Sequence, residues 1–236
     1  MPEFLEVDDL SFEVRRSDRR KTIALIVDRG GQLVIAAPVN CEIDLMRSVV
    51  QSRKQWIYTH LLSKEKTLAI TPPLKEYVSG EGFFYLGRSY RLQIVQPDPN
   101  RARTPILQFS GGEFLLRADE SFNGRRHFEA WYTKQCRTWL QSQLPSSAQR
   151  LDVKLPPINV SDLGYRWGSC SASQVNFHWR IIMLPIPVLE YVLVHELAHI
   201  LVPNHGEQFW QIVERVIPEW RARKQWLAEN GVLYSL

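Results

Sequence analysis

His195 and His199 stand four residues apart inside a run from Val188 to Val202 that is apolar at most other positions. A helix that is apolar nearly all round is buried. Val188-Leu189-Glu190-Tyr191-Val192-Leu193-Val194 and Ile200-Leu201-Val202 therefore predict a helix inside the core. Residues four apart lie almost one above the other on a helix, so both imidazoles share a face. Two buried imidazoles with the Glu196 carboxylate between them are costly unless something satisfies them, and a metal ion would. Glu196 projects about 100° round from His195, because a helix turns once per 3.6 residues. It is thus placed to meet a water on the metal rather than the metal itself. The string His195-Glu196-Leu197-Ala198-His199 marks two candidate ligands of one zinc ion and a candidate acid/base for metal-assisted hydrolysis.

Catalytic zinc sites use three protein ligands and keep a position for water. His205 is the natural third. On an unbroken helix it would point about 240° away from His199, so the helix must stop between them. Pro203 supplies the stop, since it lacks an N–H and disfavours helix at Val202. Asn204 and Glu207 are spaced as a capping pair for a following helix that carries Phe209, Trp210, Ile212 and Val213. Glu214 and Glu219 are rival third ligands further along. Cys41, Cys136 and Cys170 form no cluster, which argues against a thiolate zinc site and suits a reducing, cytoplasmic setting.

The chain of 236 residues is long enough for one large domain or two small ones. It has no apolar run suited to a membrane span, and Met1-Pro2-Glu3-Phe4 lacks a signal-peptide pattern. The net charge of +4 is unevenly spread: residues 101–150 carry eight basic and four acidic side chains, whereas residues 1–60 balance at nine each. That is not the profile of a dedicated nucleic-acid binder. One basic cluster, Arg15, Arg16, Arg19, Arg20 and Lys21 around Asp18, reads as a solvated hairpin turn or as a weak phosphate or nucleic-acid contact.

Hydrophobic periodicity divides the chain into a β-rich region, 1–117, and a second region, 118–236, giving an α+β fold. Strands are expected around Phe12–Val14, Thr22–Val27, Gln32–Ala36 and Phe83–Val95 (turning near Gly87), and near 106–109 and 113–117, with Asp28–Gly31 as a turn. A helix is expected from about Cys41 to Lys66, before a break at Pro72-Pro73. Pro97–Asn100 reads as a loop. A second helix runs from about Asp119 to Leu144, ended by Pro145. Val153 and Ile158–Val160 are strand-like, Asn176–Leu184 is the strand before the histidine helix, and a last helix covers Trp220–Glu229. No internal repeat is evident.

With these motifs placed, the chain resembles the YgjP-like metal-dependent hydrolases, related to the SprT-like and other minimal zincins. The residues that carry the resemblance span nearly the whole chain: Arg15 to Lys21, Trp56-Ile57, Tyr85-Leu86-Gly87-Arg88, Arg166-Trp167-Gly168-Ser169-Cys170, the histidine helix, His205 and Phe209-Trp210. The resemblance implies a zincin-like helical metal-binding domain with a small sheet after the β-rich part. It also implies one zinc on His195, His199 and His205, with Glu196 as acid/base. Members of the family are labelled peptidases by motif, and a UTP pyrophosphatase activity has also been attached to it. The spacing from His199 to His205 matches the long motif of metzincins as well, but Val202 stands at the usual glycine position, which argues against membership there.

Three readings follow. The leading one is a peptidase-like hydrolase; the second is a nucleoside-triphosphate pyrophosphatase; the third is a non-catalytic, metal-stabilised module that binds nucleic acid or protein. Candidate substrate contacts are Tyr165, Arg166, Ser169, His178 and Arg180 near the histidine helix, with Arg19 and Arg20 for phosphates. No Gly-rich phosphate loop is present. A peptide would lie along the edge of the Asn176–Leu184 strand. Cys170 lacks a partner base that would make it a nucleophile.

Overall fold

The computed structural model describes residues 3–27, 32–58, 61, 74–97, 105–164, 166–171 and 173–236. The chain is α+β and divides into two compact units, Met1–Thr71 and Pro72–Leu236. The expected turn at 28–31, the break at Pro72-Pro73, the Asp98-Pro99-Asn100 part of the predicted loop and the far end of the Cys41–Lys66 helix lie outside the described residues.

The first unit is a four-stranded sheet with one helix. Strands β1 (Glu3–Val7) and β2 (Leu10–Ser17) form a hairpin, with Asp8 in the left-handed region at its turn (φ 55°). Asp tolerates that conformation better than most residues. Alternation along β2 buries Leu10, Phe12 and Val14 on one face. Strand β4 (Leu33–Pro38) pairs parallel to β2 and antiparallel to β3 (Ala24–Val27), in the order β1-β2-β4-β3. The basic segment between β2 and β3 is therefore not a hairpin turn. A central strand separates its two flanks: β4 lies between β2 and β3 and is buried at five of its six positions. Helix α1 (Ile43–Ser52) lays Met46 and Val50 on the sheet; it starts two residues later than expected, and helix resumes over residues 54–58 after a turn at Arg53. Arg16 is held by both oxygens of Glu3, at 2.8 and 3.0 Å, and Arg15 by Glu13.

The second unit begins with another four-stranded sheet: β5 (Gly82–Tyr85), β6 (Arg88–Val95), β7 (Leu107–Ser110) and β8 (Glu113–Arg117), in the order β5-β6-β8-β7. Again a hairpin is followed by a strand parallel to its second member. The same connectivity thus occurs twice, although no sequence repeat announces it. Phe83, Leu92, Phe114 and Leu116 share one core with Phe128 and Tyr132 of the long helix α2 (Gly124–Leu151). That shared core moves the expected boundary at 117/118 back to residue 71, because the sheet and the helix bury each other's apolar faces.

Helix α2 is preceded by a 3-10 turn over Ala118–Asn123, so it starts later than expected. It also runs through Pro145 to Leu151, because Leu144, Ala148 and Leu151 remain buried on the same face. That burial outweighs the lost helical hydrogen bond. A small sheet follows, of β9 (Ile158–Ser161), β10 (Gly168–Cys170) and β11 (Val175–His178), in the order β10-β11-β9. Val153 precedes it outside any strand. The predicted Asn176–Leu184 strand ends at His178 and becomes a 3-10 turn, Trp179–Met183, whose first free amide, on Arg180, is capped by His178.

The remaining helices are α3 (Ile186–Ala198), α4 (Glu207–Val216) and α5 (Trp220–Asn230). The tip of the β5–β6 hairpin fixes the entry to α3. Leu86 and Gly87 amides donate to the Ile182 and Met183 carbonyls at 2.9 Å each, and a Cβ on Gly87 (φ 81°) would meet Pro185 Cα at 2.7 Å. Among the described residues no helix is long and apolar enough to cross a membrane.

Candidate metal centre

Helix α3 is buried at Val188, Leu189, Tyr191, Val192, Leu193, Val194, Glu196, Leu197 and Ala198, so its histidines emerge from the core at its last turn. Helical hydrogen bonding persists to Val202, whose amide donates to Ala198 O at 3.0 Å, and stops before Pro203. The break falls where the proline predicts it. The chain then turns, but Asn204 does not cap helix α4. Its Oδ1 accepts from the Gly206 amide at 3.2 Å, and Gly206 itself is the N-cap residue. This tight turn is shorter than the expected capping box and returns His205 to the other two histidines.

His205 Nε2 lies 3.1 Å from His195 Nε2 and 3.1 Å from His199 Nε2. His199 Nδ1 lies 3.2 Å from the Val202 carbonyl. A carbonyl only accepts, so Nδ1 carries the proton and Nε2 presents a lone pair. His195 Nδ1 faces Tyr191 Oη at 3.5 Å. Burial, then the neighbouring His199, His205 and Lys224, pushes the His195 pKa down to about 3. Burial likewise lowers that of His205. Three imidazole nitrogens converging on one point do not satisfy one another as donor and acceptor pairs. Zinc–nitrogen bonds of about 2.0–2.1 Å in tetrahedral geometry would hold nitrogens roughly 3.3 Å apart, so the three residues fit one ion. Among the described residues no fourth ligand atom joins them. The rivals are engaged elsewhere: Glu214 with Arg221 at 2.5 Å and Glu219 with Arg223 at 3.7 Å.

Glu196 is 7% exposed. Burial raises its carboxyl to about 7, against the opposing charge of Arg166. Its side chain packs flat on β10: a Cβ on Gly168 would stand 2.5 Å from Glu196 Cγ. Beside it opens a cleft of about 910 Å³, lined by Lys154 to Pro157, Gly168 to Ser171, His195, Glu196, His199, Ile200, Pro203 and His205. Strand β10 is the outer strand of its sheet and forms one wall of this cleft.

Of the other candidates, Ser169 and Cys170 line the cleft, and burial and Glu196 hold the Cys170 thiol above its usual range. Arg166 lines a smaller adjoining cavity. His178 and Arg180 line neither. His178 is 1% exposed, accepts from the Arg180 amide at Nδ1 and meets Asp162 Oδ1 at 3.3 Å through Nε2, so both nitrogens are committed to structure. Arg180 donates to the Gly164 carbonyl and lies over the Trp167 ring. Tyr165 is outside the described residues. Arg19 and Arg20 are exposed in the first unit. Sequence reasoning gave no site role to Tyr191 or Trp210, and took Gly168, with Ser169 and Cys170, only as a rim that could contact substrate. Tyr191 was detectable, since it stands one helical turn before His195; the packing of Gly168 on Glu196 was not, because the contact that demands a glycine is long-range.

The fold and the centre define an α+β protein with a three-histidine, metal-competent site at the end of a buried helix. A family model described as YgjP-like, metallopeptidase domain, matches residues 21–230, and the chain belongs to that family. Family membership makes it, by class, a metal-dependent, peptidase-like hydrolase. The crystal structure of the metallopeptidase zymogen abylysin of Pyrococcus abyssi is similar over 36% of this chain and 86% of that one, at 24% identity and a TM-score of 0.33. No curated protein matches the sequence significantly.

Proposed function

We propose that the protein is a zinc-dependent peptidase in which His195, His199 and His205 hold one ion and Glu196 is the acid/base. The observation that carries this reading is the convergence of three imidazole nitrogens beside a buried carboxyl at the floor of a cleft. The chemistry that zinc supplies in such a site is Lewis acidity and a water acidified toward neutral pH. Glu196, buried beside the centre, takes the proton of the attacking water and returns it to the departing amine. Gly168 keeps that carboxyl against β10, and the free edge of β10 accepts an extended peptide by main-chain hydrogen bonds. The expected docking edge at Asn176–Leu184 is not available, because β11 is the middle strand of its sheet.

The pyrophosphatase reading has less support. Lys154 is the only Lys or Arg among the described residues lining the cleft, whereas a triphosphate needs several convergent donors. Arg15 and Arg16 of the basic cluster are paired with Glu13 and Glu3. The non-catalytic reading leaves unexplained a three-ligand cluster, since structural zinc sites close with four. The test is metal analysis of the purified protein, followed by comparison of cleavage of an unstructured protein with pyrophosphate release from UTP. Zinc at one per chain and proteolysis lost in Glu196→Gln are expected. Proteolysis unchanged by that substitution, or pyrophosphate release that depends on Glu196, would overturn the proposal.

A further inference from the structure

Two cavities meet at the centre. The larger cleft and a second cavity of about 220 Å³ share Gly168, His195 and Glu196. Both cavities thus border the Glu196 side chain. The smaller cavity is walled by Trp167, Val192 and Leu227, with Tyr191 beside His195, and among the described residues Arg166 is the only Lys or Arg that lines it. The larger cleft has apolar walls, Leu155, Pro156, Pro157 and Ile200, and again, among the described residues, a single Lys or Arg, Lys154. Glu196 is the only acidic residue lining either cavity among the described residues. The centre is thus flanked by one positive charge in each cavity, with no carboxylate to neutralise either except the one the reaction uses.

From this charge pattern we infer that the small cavity is a specificity subsite for an acidic side chain, so that the protein cleaves peptides next to Asp or Glu. The inference rests on the peptidase reading above. A guanidinium binds a carboxylate through two parallel N–H donors, and one arginine suffices for one carboxylate. Arg166 is itself exposed, so the pairing is a solvent-facing one, and Trp167, Val192 and Leu227 offer apolar contact to the methylenes of the side chain that carries the carboxylate. Volume supports the assignment as well, since the space suits one side chain rather than a folded segment. Lys154 extends the same preference to a more distant acidic residue, through a point charge with no fixed geometry.

The experiment uses the full-length, zinc-loaded protein and peptides that differ only at the residues flanking the scissile bond: Asp or Glu, Gln, and Lys. Wild type is expected to prefer the acidic peptides by roughly twofold to fivefold in kcat/KM, as an ion pair to an exposed arginine allows. Arg166→Met should abolish the preference, and Arg166→Glu should invert it toward the Lys peptide. A second measurement needs no turnover: anisotropy of fluorescent acidic and Gln peptides on Glu196→Gln, with and without Arg166→Met. Acidic peptides should bind more tightly, and only when Arg166 is present. Cleavage without acidic preference, or a preference unchanged in Arg166→Met, overturns the subsite and leaves the peptidase reading standing. Arg166-dependent binding with no cleavage of any peptide by wild type supports the subsite and overturns the peptidase reading.

Discussion

The indole of Trp210 lies against the imidazole of His205, ring centroids 5.7 Å apart and planes 22° from parallel. Trp210 stacks in turn on Trp220 at 4.0 Å and 9°, and Lys224 Nζ sits 4.4 Å from the centre of the Trp210 ring. His205 is exposed and stands outside any helix or strand. The column of rings therefore restrains the one ligand that secondary structure does not. Trp210→Ala is expected to weaken zinc binding by roughly 10- to 100-fold, the usual cost of losing a ligand's support. Competition against a chromogenic chelator measures it. Trp210→Phe should recover part of the loss, and equal affinities for Ala and wild type would show that the stack restrains nothing.

Gly168 predicts a separation of metal binding from activity. An alanine methyl at this position overlaps Glu196 Cγ and Oε1, at 2.5 and 2.7 Å, and the carboxyl must move. A displacement of about 1 Å in an active site costs on the order of 100-fold in rate. Gly168→Ala should therefore keep its zinc, by metal analysis, while kcat on a peptide substrate falls about that far. Full activity in this variant would mean that Glu196 has room to shift without consequence.

The buried carboxyl also makes a pH prediction for the metal-free protein. Glu196 holds its proton to about pH 7 when folded, against 4.5 as the ordinary value. Between those limits the folded state binds more protons than the unfolded one, so this group's contribution to stability falls as pH rises. His195 acts oppositely between about pH 3 and 6.5, where the unfolded chain takes up the proton that the folded chain refuses. Subtracting wild type from Glu196→Gln removes the histidine contribution. The difference in denaturant stability should grow from nothing near pH 4.5 to about 3 kcal/mol at pH 8, at 1.36 kcal/mol per pKa unit. A difference that does not vary with pH would refute it.

His178 should behave as a structural residue. His178→Ala deletes the acceptor of the Arg180 amide and leaves a void under Trp179, whose ring lies 5.1 Å from the imidazole. A loss of about 1–3 kcal/mol in unfolding free energy is expected. Zinc content and KM should be unchanged, as judged by metal analysis and steady-state kinetics at a temperature where the variant is folded. A change in kcat or KM without loss of stability would return His178 to the candidate substrate contacts.

The features legible in the linear chain were the local ones. His195, Glu196 and His199 are set by the helical period, the stop before Pro203 by proline stereochemistry, and the β5–β8 strands by short apolar runs between turn signals; each depends on neighbours within a few residues. Tertiary structure alone decided the rest. The insertion of β4 between β2 and β3, the central place of β11 that leaves β10 as the free edge, the burial that carries α2 past Pro145, and the contact between Gly168 and Glu196 all join residues far apart in the chain. Pairing and packing energies of that kind depend on which surfaces meet, and a linear pattern of residue types does not record it.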